Sequence, residues 1–269
     1  MIHKPFGSAA RKILSFGLLI LLGAATPALA KPHFFYLFDE SPDPTSALDA
    51  SGEGINFSYS GSSGQSDSDA KFGKGSMIVG EEPTTGFGGS ILKEPFTQLN
   101  EPVEKMTITL WLKLNPGALN TQVTLLQRLN SSIGNQGYFG FSYSPAAGKL
   151  TFALDTEDGS ENGKFSLSSS KRVPSPSTDW LHLAVTFDHG KIQFFVDGEP
   201  LGEAQTLEGI TSIPKTTRDS TTVFRAIVSS PGVSHVDDFG YFGDIPLPEA
   251  DMRTIFTDGL ENFVQQKRH

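Results

Sequence analysis

Residues able to do chemistry occur throughout this sequence, but few are spaced for catalysis. The six histidines (His3, His33, His182, His189, His235 and His269) form no His-x-x-x-His pair, and there is no cysteine. No zinc-knuckle pattern can therefore be written. No Gly-x-Ser-x-Gly elbow occurs, and "GSSGQS" (61–66) reads as a flexible polar turn. The acids of "LDTEDGSE", Asp155, Glu157 and Asp158, fall in a glycine-terminated turn, where solvated charge is the simpler reading. His182 lies in the middle of an apolar run and reads as a packed, hydrogen-bonded residue. Aromatic faces can stack on the C–H face of a sugar ring beside Asp, Asn or Gly. Tyr138, Tyr143, Trp180 and Tyr241 are the ligand-binding candidates of that kind, and each also suits plain packing. Trp111 and most of the 21 phenylalanines read as core.

The elements that must position these residues are short and alternating. Runs such as "MTITLWLKL" (106–114), "YFGFSY" (138–143), "KLTFAL" (149–154), "WLHLAVTF" (180–187) and "KIQFFV" (191–196) are separated by turn signals, among them "NPG", "SPAAG", "DHG" and "DGEP". Such spacing predicts an all-β sandwich or barrel. In "WLHLAVTF", Leu181, Leu183, Val185 and Phe187 share one face, and Trp180, His182, Ala184 and Thr186 the other. Both faces are apolar or small, as in a central strand of a stacked sheet. Gly190 and Gly198 then allow two tight turns, so 180–202 predicts a three-strand meander. One helix is predicted, in "PLPEADMRTIFTDGL" (246–260). Pro248 stands near its first position, Glu249 and Asp251 face its positive end, and Gly259 stops it. The polar tail, residues 261–269, is expected to fray.

The first thirty residues differ from the rest. Lys4, Arg11 and Lys12 precede the apolar "ILSFGLLILLGAA" (13–25), and Ala28–Leu29–Ala30 supplies small residues for cleavage. The apolar run is shorter than the about 20 residues a spanning helix needs, so residues 1–30 read as a cleaved secretory signal. Cleavage would deepen the net charge from −9 to −12, because the segment holds three basic and no acidic residues. That acidic balance argues against nucleic acid and anionic membrane surfaces as partners. The expectation is a protein exported to the periplasm, cell surface or medium, with no stable membrane insertion after signal cleavage. Without cysteine it carries no lipid anchor and no disulfide, and a chain of this length buries enough surface to fold unaided.

Four blocks resemble the laminin-G-like, concanavalin A-like jelly-roll domains of secreted bacterial proteins. They are "YLFDESPDPTSALDASGEG" (36–54), "KFGKGSMIVG" (71–80) with "MTITLWLKL", the meander "WLHLAVTFDHGKIQFFVDGEPLG", and "HVDDFGYFGDIPLPEADMRTIF" (235–256). The resemblance implies a two-sheet antiparallel jelly-roll sandwich over residues 31–260 with one short C-terminal helix. It also implies a structural calcium, for which Asp39, Asp49, Ser51, Asp237 and Asp238 are the acidic and turn positions within the matching blocks. The first and last strands of a jelly roll commonly pair, which would bring Asp39 and Asp237 together. Clustered buried carboxylates need a counter-charge. The alternative is that these residues cap turns by accepting backbone N–H groups. Glycosidases of this fold display Glu-x-Asp-x-x-Glu on one strand, and no such strand occurs here. The sequence therefore points to a non-catalytic binding or adhesion module for a polysaccharide or glycoconjugate. A protein-binding or envelope-structural module comes second, and a divergent glycoside hydrolase third.

Overall fold

The computed structural model describes residues 31–39, 45–59, 63–79, 90–93, 101–120, 122–130, 137–156, 163–174, 179–215, 222–228 and 234–268. The predicted signal segment, Glu157 and Asp158 lie outside them. Along the chain run β1 (Phe34–Tyr36), β2 (Ser46–Ala47), β3 (Phe57–Ser58), β4 (Ser63–Ser66), β5 (Ser76–Val79), β6 (Ser90–Lys93), β7 (Lys105–Lys113), β8 (Val123–Asn130) and β9 (Phe139–Ser144). There follow β10 (Lys149–Asp155), β11 (Lys164–Ser168), β12 (Leu181–Asp188), β13 (Lys191–Val196), β14 (Glu199–Pro200), β15 (Gln205–Thr206), β16 (Thr222–Val228) and β17 (Ser234–Gly243). Helices α1 (Glu249–Asp258) and α2 (Leu260–Lys267) close the chain.

The strands form two antiparallel sheets. In the first the order is β14-β13-β12-β7-β17-β5-β4, with β1 added to β17 and β15 to β13; in the second it is β11-β10-β9-β8-β16-β6-β3-β2. Aromatic pairs join the sheets face to face: Phe139 with Tyr241 (6.2 Å between ring centres), Phe141 with Phe194 (6.4 Å) and Phe152 with Phe187 (6.1 Å). Each pair takes one ring from each sheet, so the alternate residues of β9, β10, β12, β13 and β17 fill one inner layer. The all-β sandwich read from the sequence is the fold observed.

The meander forms as its glycines require. His189 (φ 49°) and Gly190 (φ 89°) turn β12 into β13, and Asp197 (φ 50°) with Gly198 (φ 78°) turns β13 into β14. Two successive left-handed residues match the right-handed twist of the strands they join. A side chain at Gly198 would meet Phe256 Cβ at 2.9 Å, so the same glycine lets α1 lie against the hairpin.

The outer face of the first sheet is also buried. Phe35, Ala184, Phe195 and Phe242 pack there against Leu247, Met252, Ile255, Leu260, Phe263 and Val264. This explains the two apolar faces of β12. It also overturns the frayed tail: residues 260–267 form α2, whose Leu260, Phe263 and Val264 are buried. The composition of the segment is polar, but its three apolar residues fall on one helical stripe.

Candidate functional site

Asp49 and Ser51 organise a turn. Asp49 Oδ1 accepts the N–H groups of Phe35 (3.1 Å) and Ser51 (2.9 Å), and Oδ2 accepts the Ile55 N–H (3.1 Å) and the Ser51 hydroxyl (2.7 Å). Ser51 Oγ in turn accepts the Glu53 N–H at 3.1 Å. Both residues thus act within the chain, fastening the 49–55 turn to β1.

Asp39, Asp237 and Asp238 gather elsewhere, around the loop 71–75. Asp39 Oδ1 accepts the N–H groups of Lys74 and Gly75. Asp237 Oδ2 accepts those of Lys71 (2.7 Å) and Phe72 (3.0 Å), while its Oδ1 accepts the Asp238 N–H (2.8 Å). Asp238 Oδ2 accepts the Leu260 N–H at 2.7 Å, at the start of α2. Gly73 (φ 62°) is indispensable here, since a Cβ on it would overlap the Asp39 carboxylate. Burial pushes Asp237 up to about 7, an effect the three N–H donors oppose and the Asp39 charge assists. Burial and then the Asp237 charge push Asp238 up to about 8. The five residues expected to hold calcium therefore fall into two groups. Most of their oxygens already accept backbone N–H groups, and among the described residues no three His, Asp or Glu side chains are arranged to hold a metal ion. The donor set fits amides rather than a hard cation that wants six to eight oxygens.

The four aromatic candidates separate as well. Tyr143 and Tyr241 are core residues, 1% and 3% exposed, and so offer no face to a sugar. Tyr241 stacks on Phe34 at 5.2 Å, and burial pushes its phenol up to about 12. Both belong to the inward-facing set of their strands, as alternation requires. Trp180 is half-buried just before β12, edge-on to His235 at 6.3 Å. Tyr138 is half-buried and lies on the outer face of the second sheet. Gly140 points outward there, between the inward Phe139 and Phe141, and a Cβ on it would meet the Tyr138 hydroxyl at 2.3 Å.

On that face two rungs are polar and carry no charge across four strands, while Lys149, Asp155 and Lys164 stand at neighbouring positions and Arg225 of β16 lies opposite Gln127. One rung across four strands places Thr124, Ser142, Thr151 and Ser168 side by side, and the next places Gln127, Gly140, Ala153 and Ser166. Gln122 Nε2 donates to Ser142 Oγ at 3.0 Å, and the hydroxyls of Thr151 and Ser168 are 2.9 Å apart. A register shift between Thr124 and Leu126 keeps Thr124 and Gln127 both pointing outward. Neither rung carries a carboxylate. Asp155, read from the sequence as a turn residue, instead ends β10 and is 1% exposed. Small residues in the middle and hydrogen-bonding ones around them make a trough in side-chain size, and the Tyr138 ring lies over its glycine. No single motif announced it, because it is assembled by register from four strands.

The model of the laminin G family of the concanavalin A-like lectin/glucanases superfamily matches residues 88–233, more than half of the sequence. The chain belongs to this family. The matched span includes both rungs of the trough and the meander of the laminin G-like domain. Solved structures with this fold include the binding domain of botulinum neurotoxin serotype G, with a TM-score of 0.59 at 13% identity over 84% of this chain and 50% of that one. The binding domain of botulinum neurotoxin DC in complex with rat synaptotagmin II aligns with a TM-score of 0.59 at 15% identity, over 85% of this chain and 52% of that one. A structure of botulinum neurotoxin type C, whose cell entry depends on interaction with two ganglioside molecules, gives 0.60 at 16% identity, over 84% and 51%. The chain thus spans about half the length of these structures, and at such identities the likeness is one of fold. No curated protein matches the sequence.

Proposed function

We propose that this laminin G-like domain is an exported, non-catalytic binding module for a polysaccharide or glycoconjugate. The observation that carries the reading is the trough on the second sheet, where hydroxyl and amide side chains surround the glycine beneath Tyr138. Sugar hydroxyls ask for many neutral donors and acceptors, and a ring face asks for an aromatic neighbour. The family to which the chain belongs includes lectins by its own description. Hydrolysis would need two carboxylates flanking a glycosidic bond, and the two rungs supply none.

Protein binding is the second reading, favoured by the fold neighbour in complex with synaptotagmin. Against it, Leu48 is the lone exposed large hydrophobic side chain among the described residues, which therefore form no apolar patch among themselves. We further propose that Asp39, Asp49, Asp237 and Asp238 serve as backbone latches and not as calcium ligands.

The test is binding of residues 31–269 to a panel of immobilised polysaccharides, with calcium and with chelator. Saturable binding that Tyr138→Ala weakens about tenfold or more, the equivalent of about 1.4 kcal/mol, supports the module reading. Release of reducing ends from any bound polysaccharide would establish the hydrolase in its place.

A further inference from the structure

A second polar recess lies at one end of the first sheet, where β7 finishes and β12 and β17 begin. It has a volume of about 430 Å³ and is lined by Asp69, Lys113, Asn115, Pro116, Asp179 and His235. Asp69 is its hub. Lys113 Nζ lies 2.6 Å from Asp69 Oδ2, His235 Nε2 lies 3.9 Å from the same oxygen, and Trp180 stands edge-on to His235 beside them. Burial pushes Asp69 up, but the Lys113 bond and charge, then His235 and Trp180, outweigh it and leave the group below its ordinary value.

The proton positions follow from the bonds. The Ser76 hydroxyl donates to the Asp69 carbonyl, so its oxygen accepts from His235 Nδ1 at 3.0 Å. His235 Nε2 is then the bare nitrogen. Burial holds His235 below its ordinary value, which keeps that nitrogen an acceptor at neutral pH. Two acceptors, Nε2 and Asp69 Oδ2, thus face each other at a separation that a single donor can bridge. Beside them Lys113 has two N–H bonds beyond the one it gives Asp69. With Asp179 also on the lining, the recess holds two carboxylates against one ammonium, which disfavours a carboxylate or phosphate ligand.

We propose that this recess is a saccharide-binding site in its own right, taking a terminal sugar or a free mono- or disaccharide. One ligand hydroxyl donates between His235 and Asp69, its vicinal neighbour accepts from Lys113, and Trp180, edge-on to His235, stands close enough to report the ligand. The recess lies at the small end of the about 300–1,000 Å³ range of small-molecule sites, room for one or two sugar rings and not for an extended chain. It shares the ligand class of the trough reading and none of its residues.

Tryptophan emission reads this site directly. Of the two tryptophans, Trp111 is 1% exposed beneath α1, stacked on Phe256, so a ligand-induced change belongs to Trp180. The probes are methyl α-D-mannoside, methyl β-D-glucoside, methyl β-D-galactoside and N-acetylglucosamine, each titrated into residues 31–269 to about 50 mM, enough to detect millimolar binding. At least one probe is expected to shift the emission saturably. Asp69→Asn and Lys113→Met are each expected to weaken it about tenfold, as loss of a well-placed hydrogen-bonding group does. Unchanged titration curves in both variants would overturn the proposal. So would silence from all four probes. If silence coincides with polysaccharide binding that depends on Tyr138, the recess alone fails; if nothing binds at all, the trough reading fails with it.

Discussion

Asp237 and Asp238 are neighbours in sequence, yet they hold different segments. A register shift in β17 between Asp237 and Gly240 turns Asp237 toward the loop at Lys71 and Phe72, and Asp238 (φ 44°) toward the first N–H of α2. As a buried pair they titrate together. Their folded values lie above the unfolded carboxylate value, so the folded state holds more protons than the unfolded one between about pH 4 and pH 8. Their contribution is full below that window and is lost as pH rises through it. His182 works at the other end. It is fully buried, bonded through Nε2 to Thr109 at 2.7 Å, and burial followed by the Lys71 charge lowers it to about 3. Its contribution is present above the unfolded value near 6.5 and is lost as pH falls toward 3. Between about pH 4 and 6.5 the two protons held by the aspartates outweigh the one that His182 excludes, so melting temperature should decline on both sides of a maximum at about pH 4. His182→Gln should flatten the acid limb, and Asp238→Asn the alkaline one. A flat profile in the unmodified chain would contradict both assignments. Adding calcium, or a chelator, should leave the profile where it is; a large upward shift with calcium would restore the metal reading.

Arg128 is the residue whose role was least legible. It stands in β8 opposite Phe139, so its guanidinium enters the inner layer, 5.0 Å over the Phe139 ring. There it donates to the carbonyls of Gly137 (2.6 Å), Pro214 (2.8 Å) and Glu101 (3.3 Å), tying three loops to one strand. Burial lowers it to about 10, which still leaves it charged at neutral pH. Arg128→Met keeps much of the volume but strands those carbonyls. At about 1–3 kcal/mol for an unsatisfied buried group, melting should fall by about 5–10 °C, given roughly 2–4 °C per kcal/mol in a chain of this size.

At the scale of elements, the C-terminal helices decide which face of the sandwich is available. They cover the first sheet, with Trp111 between Phe72 and Phe256 and with Phe263 edge-on to Phe242. Leu260, Phe263 and Val264 each contribute about 1.5–3 kcal/mol of apolar burial. Ending the chain at Asp258 should therefore expose that layer, lower the melting temperature by more than 10 °C at about 2–4 °C per kcal/mol, and bind a hydrophobic dye. An unchanged melt would show α2 to be dispensable.

Local sequence carries some of these elements and not others. The meander was legible because alternation and two glycine turns are local signals. The helix α1 was legible from its proline, its early acids and Gly259. The second helix was missed because three apolar residues in a polar octet look like a tail until a sheet face is there to receive them. The trough was illegible for a related reason. Its neighbours Ser142, Thr151 and Ser168 come from three strands, and only register brings them to one rung. Tyr143 and Tyr241 were indistinguishable in type from Tyr138; a residue's face depends on strand phase, which "YFGFSY" leaves open by one position.

Across the whole molecule, one sheet is sealed by helices and the other presents its hydroxyl and amide rungs. No described helix is long and apolar enough to cross a membrane. Export remains part of the functional proposal, and the mass of the product recovered outside the cytoplasm tests it: the account predicts a chain beginning at Lys31. Most direct for the central claim is the polysaccharide panel with the unmodified chain and Tyr138→Ala side by side. The account predicts saturable binding to at least one polysaccharide, no release of reducing ends, and about tenfold or greater loss in the variant. Binding that Tyr138→Ala leaves untouched, or cleavage of the bound chain, would contradict it.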